Sequence, residues 1–243
     1  MRNAFVEELV SIARSDQRVW IICGDLGYGV LDEFRDVLPS QFVNAGVAEQ
    51  NMTGLATGLA LEGRIAFTYS IANFSTLRCL EQVRNDVCYH NANVKIVSVG
   101  AGLAYGTHGY THYAIEDLGI LSWMPNMKIL CPADPLEARS AAHLAVNTEG
   151  PIYIRLGKNG EPKLHPQASI IDFGEMALLD EGSEGILIAC GSIGYNGRMA
   201  CQTLRANGID IGFASSPSVK PIDRSFLDAA FRKYRFVVTL EEH

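Results

Sequence analysis

The stretch Phe42-Val43-Asn44-Ala45-Gly46-Val47-Ala48-Glu49-Gln50-Asn51-Met52 decides how the chain is read. Residues 42–44 form a short apolar strand, Gly46 supplies a turn, and a helix starts close to the acid Glu49. Residues 52–61 carry no charge and are rich in Ala, Leu, Met and Gly, so positions 48–61 are expected to be a buried helix. Glu49 then has two readings. An acid in a first helical turn complements the macrodipole and stays solvated. A carboxylate leading into an uncharged helix is poorly solvated, and burial disfavours the charged form, which suits proton transfer. The residues by themselves leave both readings open.

Outward from this stretch, apolar runs alternate with helical periodicity. Upstream, Phe5, Leu9 and Ile12 recur at helical spacing, and an apolar run at 19–23 precedes Gly24-Asp25. Downstream, strands are expected at 64–69, 94–99, 127–130 and 152–156, with helices at 77–89, 117–123 and 135–147. This alternation predicts a largely parallel sheet with helices on both faces. Residues 157–169 hold two prolines and two glycines without periodicity and read as a linker. Beyond them, strands at 185–190, 209–214 and 236–240 and helices near 198–206 and 226–231 form a second α/β unit. The expected architecture is α/β, with two doubly wound domains of mainly parallel sheet at 1–160 and 161–243. The second ends straight after a strand and is expected to be truncated. Gly54 and Gly58 each cost about 1 kcal/mol of helix propensity relative to Ala. Another backbone packed against them would offset that cost, so an oligomer is expected.

Composition narrows the function. The chain has 243 residues, 48% hydrophobic and 19% charged, which is globular rather than disordered. Its net charge is −7, without a Lys/Arg run, so neither nucleic acid nor an anionic membrane is an expected partner. Its apolar runs fall well short of the roughly 20 residues that span a bilayer. Acids stand where a signal peptide needs an apolar core, and a cytoplasmic location is expected. Six cysteines without a Cys-x-x-Cys pair read as small core residues in a reducing cell, not as disulfides or a metal site.

Further motifs hold polar groups. Gly24-Asp25-Leu26-Gly27-Tyr28-Gly29 matches neither Gly-x-Gly-x-x-Gly nor a P-loop, and Asp25 would repel a phosphate. Asp25 either bonds local amides in a strand-to-helix turn or serves an interface or substrate loop. Residues 100–113 form a glycine-rich loop with three aromatics and two histidines. His108 and His112 have metal-binding spacing for a helix, but Gly106, Gly109 and Tyr110 argue against a helix, so no metal is expected there. Arg155 ends a strand and could grip a phosphate bidentately or form an inter-subunit salt bridge. Arg78 and Arg84 flank Glu81 and read as an i,i+3 ion-pair set.

Taken together, the motifs resemble the pyrimidine-binding domain of transketolase-type thiamine-diphosphate enzymes. Asn44-Ala-Gly-Val-Ala-Glu49-Gln-Asn-Met is similar to its signature, and Gly24-Asp25-Leu26 to the Ala-Asp-Leu after its first strand. Thr111-His112 with Glu116-Asp117, Cys131-Pro-Ala-Asp134-Pro and Gly150-Pro-Ile-Tyr-Ile-Arg155 follow in the family's order, and Glu241-Glu242-His243 resembles its third domain. The resemblance covers nearly the whole chain. It implies thiamine diphosphate with Mg2+, held mainly by a partner, because the family's Gly-Asp-Gly…Asn motif is absent here. It implies an N-terminal transketolase subunit with the diphosphate-binding domain as that partner, in a heterotetramer with self-association.

The resemblance also implies residue roles. Glu49 would be catalytic, hydrogen-bonding the aminopyrimidine nitrogen. Phe74 and Tyr69 are candidates for the aromatic wall beside the ring. His112 would be catalytic and bind substrate, and His108, Arg155 and Asp25 would bind substrate. A flexible histidine loop suits sugar hydroxyls or proton shuttling. The family often has an acid where His108 stands, which leaves the donor sugar open. The expected activity is transfer of a two-carbon ketol unit between sugars or sugar phosphates by a split transketolase. Alternatives are the β chain of a 2-oxo acid dehydrogenase, a deoxyxylulose-phosphate-synthase-like enzyme, or a non-catalytic subunit. The helix around Arg78-Cys-Leu-Glu81-Gln-Val-Arg84 and the histidine loop look more like split transketolases.

Overall fold

Short apolar runs bounded by turn residues form the strands, and their connections fix two sheets. The computed structural model describes residues 1–166 and 171–243. Its strands are β1 (Val19–Cys23), β2 (Phe42–Asn44), β3 (Ile65–Ile71), β4 (Val94–Val99), β5 (Lys128–Leu130), β6 (Ile152–Leu156), β7 (Ala177–Asp180), β8 (Gly185–Ala189), β9 (Ile211–Ser215), β10 (Ser218–Lys220) and β11 (Phe236–Leu240). Seven form one sheet in the order β10-β5-β6-β4-β3-β1-β2, and four form another in the order β11-β8-β9-β7. Pairing is parallel except for β10 on β5 and β7 on β9.

The central strands β4 and β6 are buried at every residue between two helical layers, including the polar Lys95, Ser98 and Arg155 they carry. One face packs Phe5, Leu9, Phe67, Val97 and Ile154 beneath the helices Arg2–Ala13 and Pro135–Val146. The other packs Met52, Ala56, Val83, Val87 and Ile96 beneath the helix Glu49–Leu61 and the segment 77–88. That segment is not one regular helix. A 3-10 turn at Leu77–Cys79 runs through Leu80–Gln82 into a π-helical turn at Val83–Cys88.

One expectation needs correction. The helix Glu49–Leu61 is buried on one face only, with Leu55 and Leu61 exposed. No atom lies within 4 Å of where a Cβ at Gly54 or Gly58 would stand. Within the expected linker, 157–166 form no helix or strand, and 164–165 are tied to the first sheet's helix. Asp134 accepts from Leu136 and Glu137 with one oxygen, capping its helix, and from Leu164 N (2.8 Å) and His165 N (3.0 Å) with the other. Glu137 is met by His165 Nε2 at 2.7 Å and by Ser215 Oγ at 2.7 Å. This buried knot ties 164–165 and β9 to the first sheet's helix; positions 167–169 of the expected linker lie outside the described residues. The late strand β10 also joins the first sheet, pairing Ser218 with Leu130.

All six cysteines are buried and free. Among the described residues, no helix is long and apolar enough to cross a membrane.

Candidate active site

Glu49 lies against the segments that follow β1 and β3, at the edge where parallel α/β sheets present their ligand sites. Register places Asn44 beside Cys23, so the segments after β1 and β2 meet. Asn44 Oδ1 accepts from Asp25 N (3.1 Å) and Gly46 N (3.0 Å), and its Nδ2 donates to Asp25 Oδ1 (2.9 Å). Tyr28 donates to the same carboxylate at 3.0 Å. These bonds, Asn44 foremost, hold the exposed Asp25 carboxyl below its ordinary range. Gly46, at φ +72°, makes the turn that brings the chain back into the helix beginning at Glu49.

Glu49 is 2% exposed. A Cβ on Gly24 would come within 3.3 Å of its Cγ, so glycine there leaves the carboxyl its room. Arg78 Nη1 donates to Glu49 Oε2 at 2.8 Å. The same guanidinium carbon lies 4.2 Å from the centre of the Phe74 ring, just after β3.

The loop after β4 completes the surface. The His112 ring stands 5.1 Å from Phe74 and 5.1 Å from His108, with Tyr105 at 5.6 Å from both histidines. Gly109, at φ +78°, separates the turns Gly106–His108 and Tyr110–His112, so the two histidines do not share a helix. His108 Nδ1 faces Tyr105 O at 2.9 Å. A carbonyl only accepts, so Nδ1 carries the proton and Nε2 of the neutral ring is left to accept. Burial, with His108 and Arg78 nearby, lowers the His112 pKa. Asn73 Nδ2 donates to Thr111 O at 2.6 Å and Glu242 accepts from Leu103 N at 3.1 Å, so the C-terminal Glu-Glu-His segment anchors the histidine loop.

The structure thus brings together Glu49, Phe74, His112 and His108, and sets Asp25 next to the Gly24 that faces Glu49. It separates others. Tyr69 is 3% exposed and packs in the core with Ile65 and Phe67, where burial raises its pKa. It therefore presents no face to a ligand beside Phe74. Arg155 is 2% exposed and its guanidinium is engaged within the chain. Its Nε donates to Asp117 Oδ2 at 2.8 Å and its Nη2 to Ala114 O (2.6 Å) and Glu242 O (2.9 Å). Burial opposes the Arg155 cation, but Asp117 holds it charged, above its ordinary range. Arg78, expected to pair with Glu81, reaches Glu49 instead, and Arg84 turns to Asn85 at 2.8 Å. Arg78 is the site residue that sequence spacing does not reveal.

Comparison with known proteins identifies the family. Residues 1–162 match the family model described as transketolase, pyrimidine binding domain, and residues 174–243 the one described as transketolase, C-terminal domain. A subunit of an apulose-4-phosphate transketolase from Actinobacillus succinogenes is 34% identical over 244 residues, spanning 100% of this chain and 78% of that protein. A 1-deoxy-D-xylulose-5-phosphate synthase from Halalkalibacterium halodurans is 33% identical over 244 residues, spanning 99% of this chain and 38% of that protein. A solved chain described as "Split gene transketolase, inactive beta4 tetramer" superimposes with a TM-score of 0.92 at 35% identity, spanning 100% of this chain and 79% of that one. The chain therefore belongs to the transketolase family, carrying its pyrimidine-binding domain followed by its C-terminal domain.

Proposed function

We propose that the chain is the pyrimidine-binding subunit of a split transketolase, active with a partner subunit that carries the diphosphate-binding domain. The observation that carries this reading is Glu49: a carboxyl 2% exposed, at the carboxyl edge of a parallel sheet, joined through the Arg78 guanidinium to the aromatic ring of Phe74. A buried acid and a flanking ring fit the aminopyrimidine of thiamine diphosphate, the cofactor the family implies. When bound, that cofactor supplies the electron sink for breaking a carbon–carbon bond beside a ketose carbonyl. Glu49 holds and shares the proton at the ring nitrogen in a site kept dry by the sheet and helix beneath it. Phe74 flanks the ring. His112, whose lowered pKa favours its neutral form, and the free Nε2 of His108 accept from substrate hydroxyls. Asp25, locked by Asn44 and Tyr28, borders the substrate side.

Mg2+ and the diphosphate fall to the partner, because Gly24-Asp25-Leu26 lacks the metal-binding motif. The exposed apolar residues Val47, Leu55 and Leu61 around Gly54 and Gly58 support self-association within a heterotetramer. An acidic chain with six free cysteines suits the cytoplasm. The resemblance to a deoxyxylulose-phosphate synthase favours a second reading, in which pyruvate replaces the ketose donor. Assaying the reconstituted complex with each donor separates the two. Ketol transfer that needs both subunits and disappears in Glu49→Gln supports the first; turnover of pyruvate alone supports the second.

A further inference from the structure

Glu49 is buried, and a buried carboxylate without a partner is costly. Its ion-pair partner is Arg78, 29 residues away, with Nη1 at 2.8 Å. The same guanidinium lies close enough over Phe74 to bring its carbon within 4.2 Å of the ring centre. A guanidinium is planar, presents N–H donors at its edge and stacks on aromatic faces. An aminopyrimidine held by Glu49 and flanked by Phe74 needs those same two contacts: a donor to the carboxyl and a flat face on the ring. Arg78 makes both at once, through Oε2 of the carboxylate and the face of the Phe74 ring, so it competes with the cofactor ring for the same space. Arg78 also differs from Glu49 in freedom. Its side chain is 44% exposed, and it hangs from the 3-10 turn Leu77–Cys79 at the rim of the site. It can move into solvent, whereas Glu49 is fixed in its helix.

We propose that Arg78 is a placeholder for the cofactor ring: in the free subunit its guanidinium neutralises Glu49 and covers Phe74, and ring binding displaces it. The proposal rests on the reading of Glu49 and Phe74 as the ring site. It makes Arg78 a positioning residue that keeps the carboxyl of the unassembled subunit paired. Departure of Arg78 empties the site. A placeholder that fills the site nine-tenths of the time weakens apparent affinity about 10-fold, because only the remaining fraction is competent to bind.

The test measures equilibrium affinity for thiamine diphosphate, by calorimetry, in the complex with the diphosphate-domain subunit. It compares the native chain with Arg78→Met and Arg78→Lys, and follows thermal unfolding of each chain alone. The placeholder predicts that Arg78→Met binds the cofactor about 10-fold tighter. The free Arg78→Met chain unfolds several degrees earlier, because Glu49 loses its partner, and cofactor closes that gap in the complex. Arg78→Lys, which keeps the charge but not the planar face, recovers most of the thermal loss and falls between the others in affinity. Unchanged or weaker cofactor affinity in Arg78→Met overturns the proposal. Absence of cofactor binding by the native complex overturns the underlying assignment of the ring site instead.

Discussion

Replacing Arg155 with methionine tests whether its guanidinium serves the fold or the substrate. Arg155 and Asp117 are both buried, with Nε 2.8 Å from Oδ2, and Tyr153 donates to the same oxygen at 2.5 Å. Methionine fills much of the volume but leaves Asp117 with only Tyr153, and takes the Nη2 donor from Glu242 O (2.9 Å) and from Ala114 O (2.6 Å), which keeps only Gly102 N at 3.1 Å. Removing one member of a buried pair costs about 3–5 kcal/mol, because the remaining charge is uncompensated. At about 2–4 °C per kcal/mol for a chain of this size, Tm should fall by roughly 10 °C, read by circular dichroism. Removing both charges together, as Asp117→Leu with Arg155→Leu, should restore much of that loss, since the penalty lies in the orphaned partner. A variant with native Tm and a raised KM for a phosphorylated sugar would refute the reasoning and return Arg155 to the substrate.

Two further outcomes follow from buried geometry. Lys95 is fully buried, donates to Thr148 O (2.6 Å) and Gly150 O (2.7 Å), and has its pKa lowered by burial to about 7. An unfolded lysine keeps its proton to about pH 10.4, so between these values the unfolded chain binds more protons and stability rises with pH, by up to about 1.4 kcal/mol per unit. Urea unfolding from pH 7 to 10 should show this rise, and Lys95→Met should flatten it; an equal slope in the variant contradicts the argument. Gly100 sits at φ +91°, and a Cβ there would fall 2.1 Å from Tyr105 Cε2. Gly100→Ala should therefore displace Tyr105 and both histidines, lowering kcat/KM of the reconstituted enzyme by up to about 100-fold with cofactor affinity retained.

The strand positions and the site's anchor are legible because they are written locally. The apolar-rich runs at β4 and β6 read as core strands from their own residues, and Glu49 before an uncharged helix is singled out as a candidate acid, which the structure shows to be buried. Tyr69 departs from expectation although the signal is present: Ile65, Phe67 and Tyr69 alternate along one strand, so a core role for Phe67 carries Tyr69 with it. Arg155 and Arg78 are harder, because their partners Asp117 and Glu49 lie 38 and 29 residues away and sequence spacing speaks only for near neighbours. The π-helical turn at Val83–Cys88 compounds this, since i,i+3 bookkeeping from Arg78 to Glu81 assumes a regular helix. The strand β10 has three residues and owes its place to the edge offered by β5, a tertiary opportunity with no local pattern.

The central claim, that Glu49 is the acid of a cofactor site completed by another subunit, is tested most directly by mixing. The chain alone, the diphosphate-domain subunit alone and the two together are titrated with thiamine diphosphate and assayed for ketol transfer, with Glu49→Gln run alongside. The account predicts full cofactor binding and turnover only in the mixture, and turnover lost at least about 100-fold in Glu49→Gln, in keeping with removal of a proton-transfer group. Turnover by the chain alone, or a Glu49→Gln mixture as active as the native one, would contradict it.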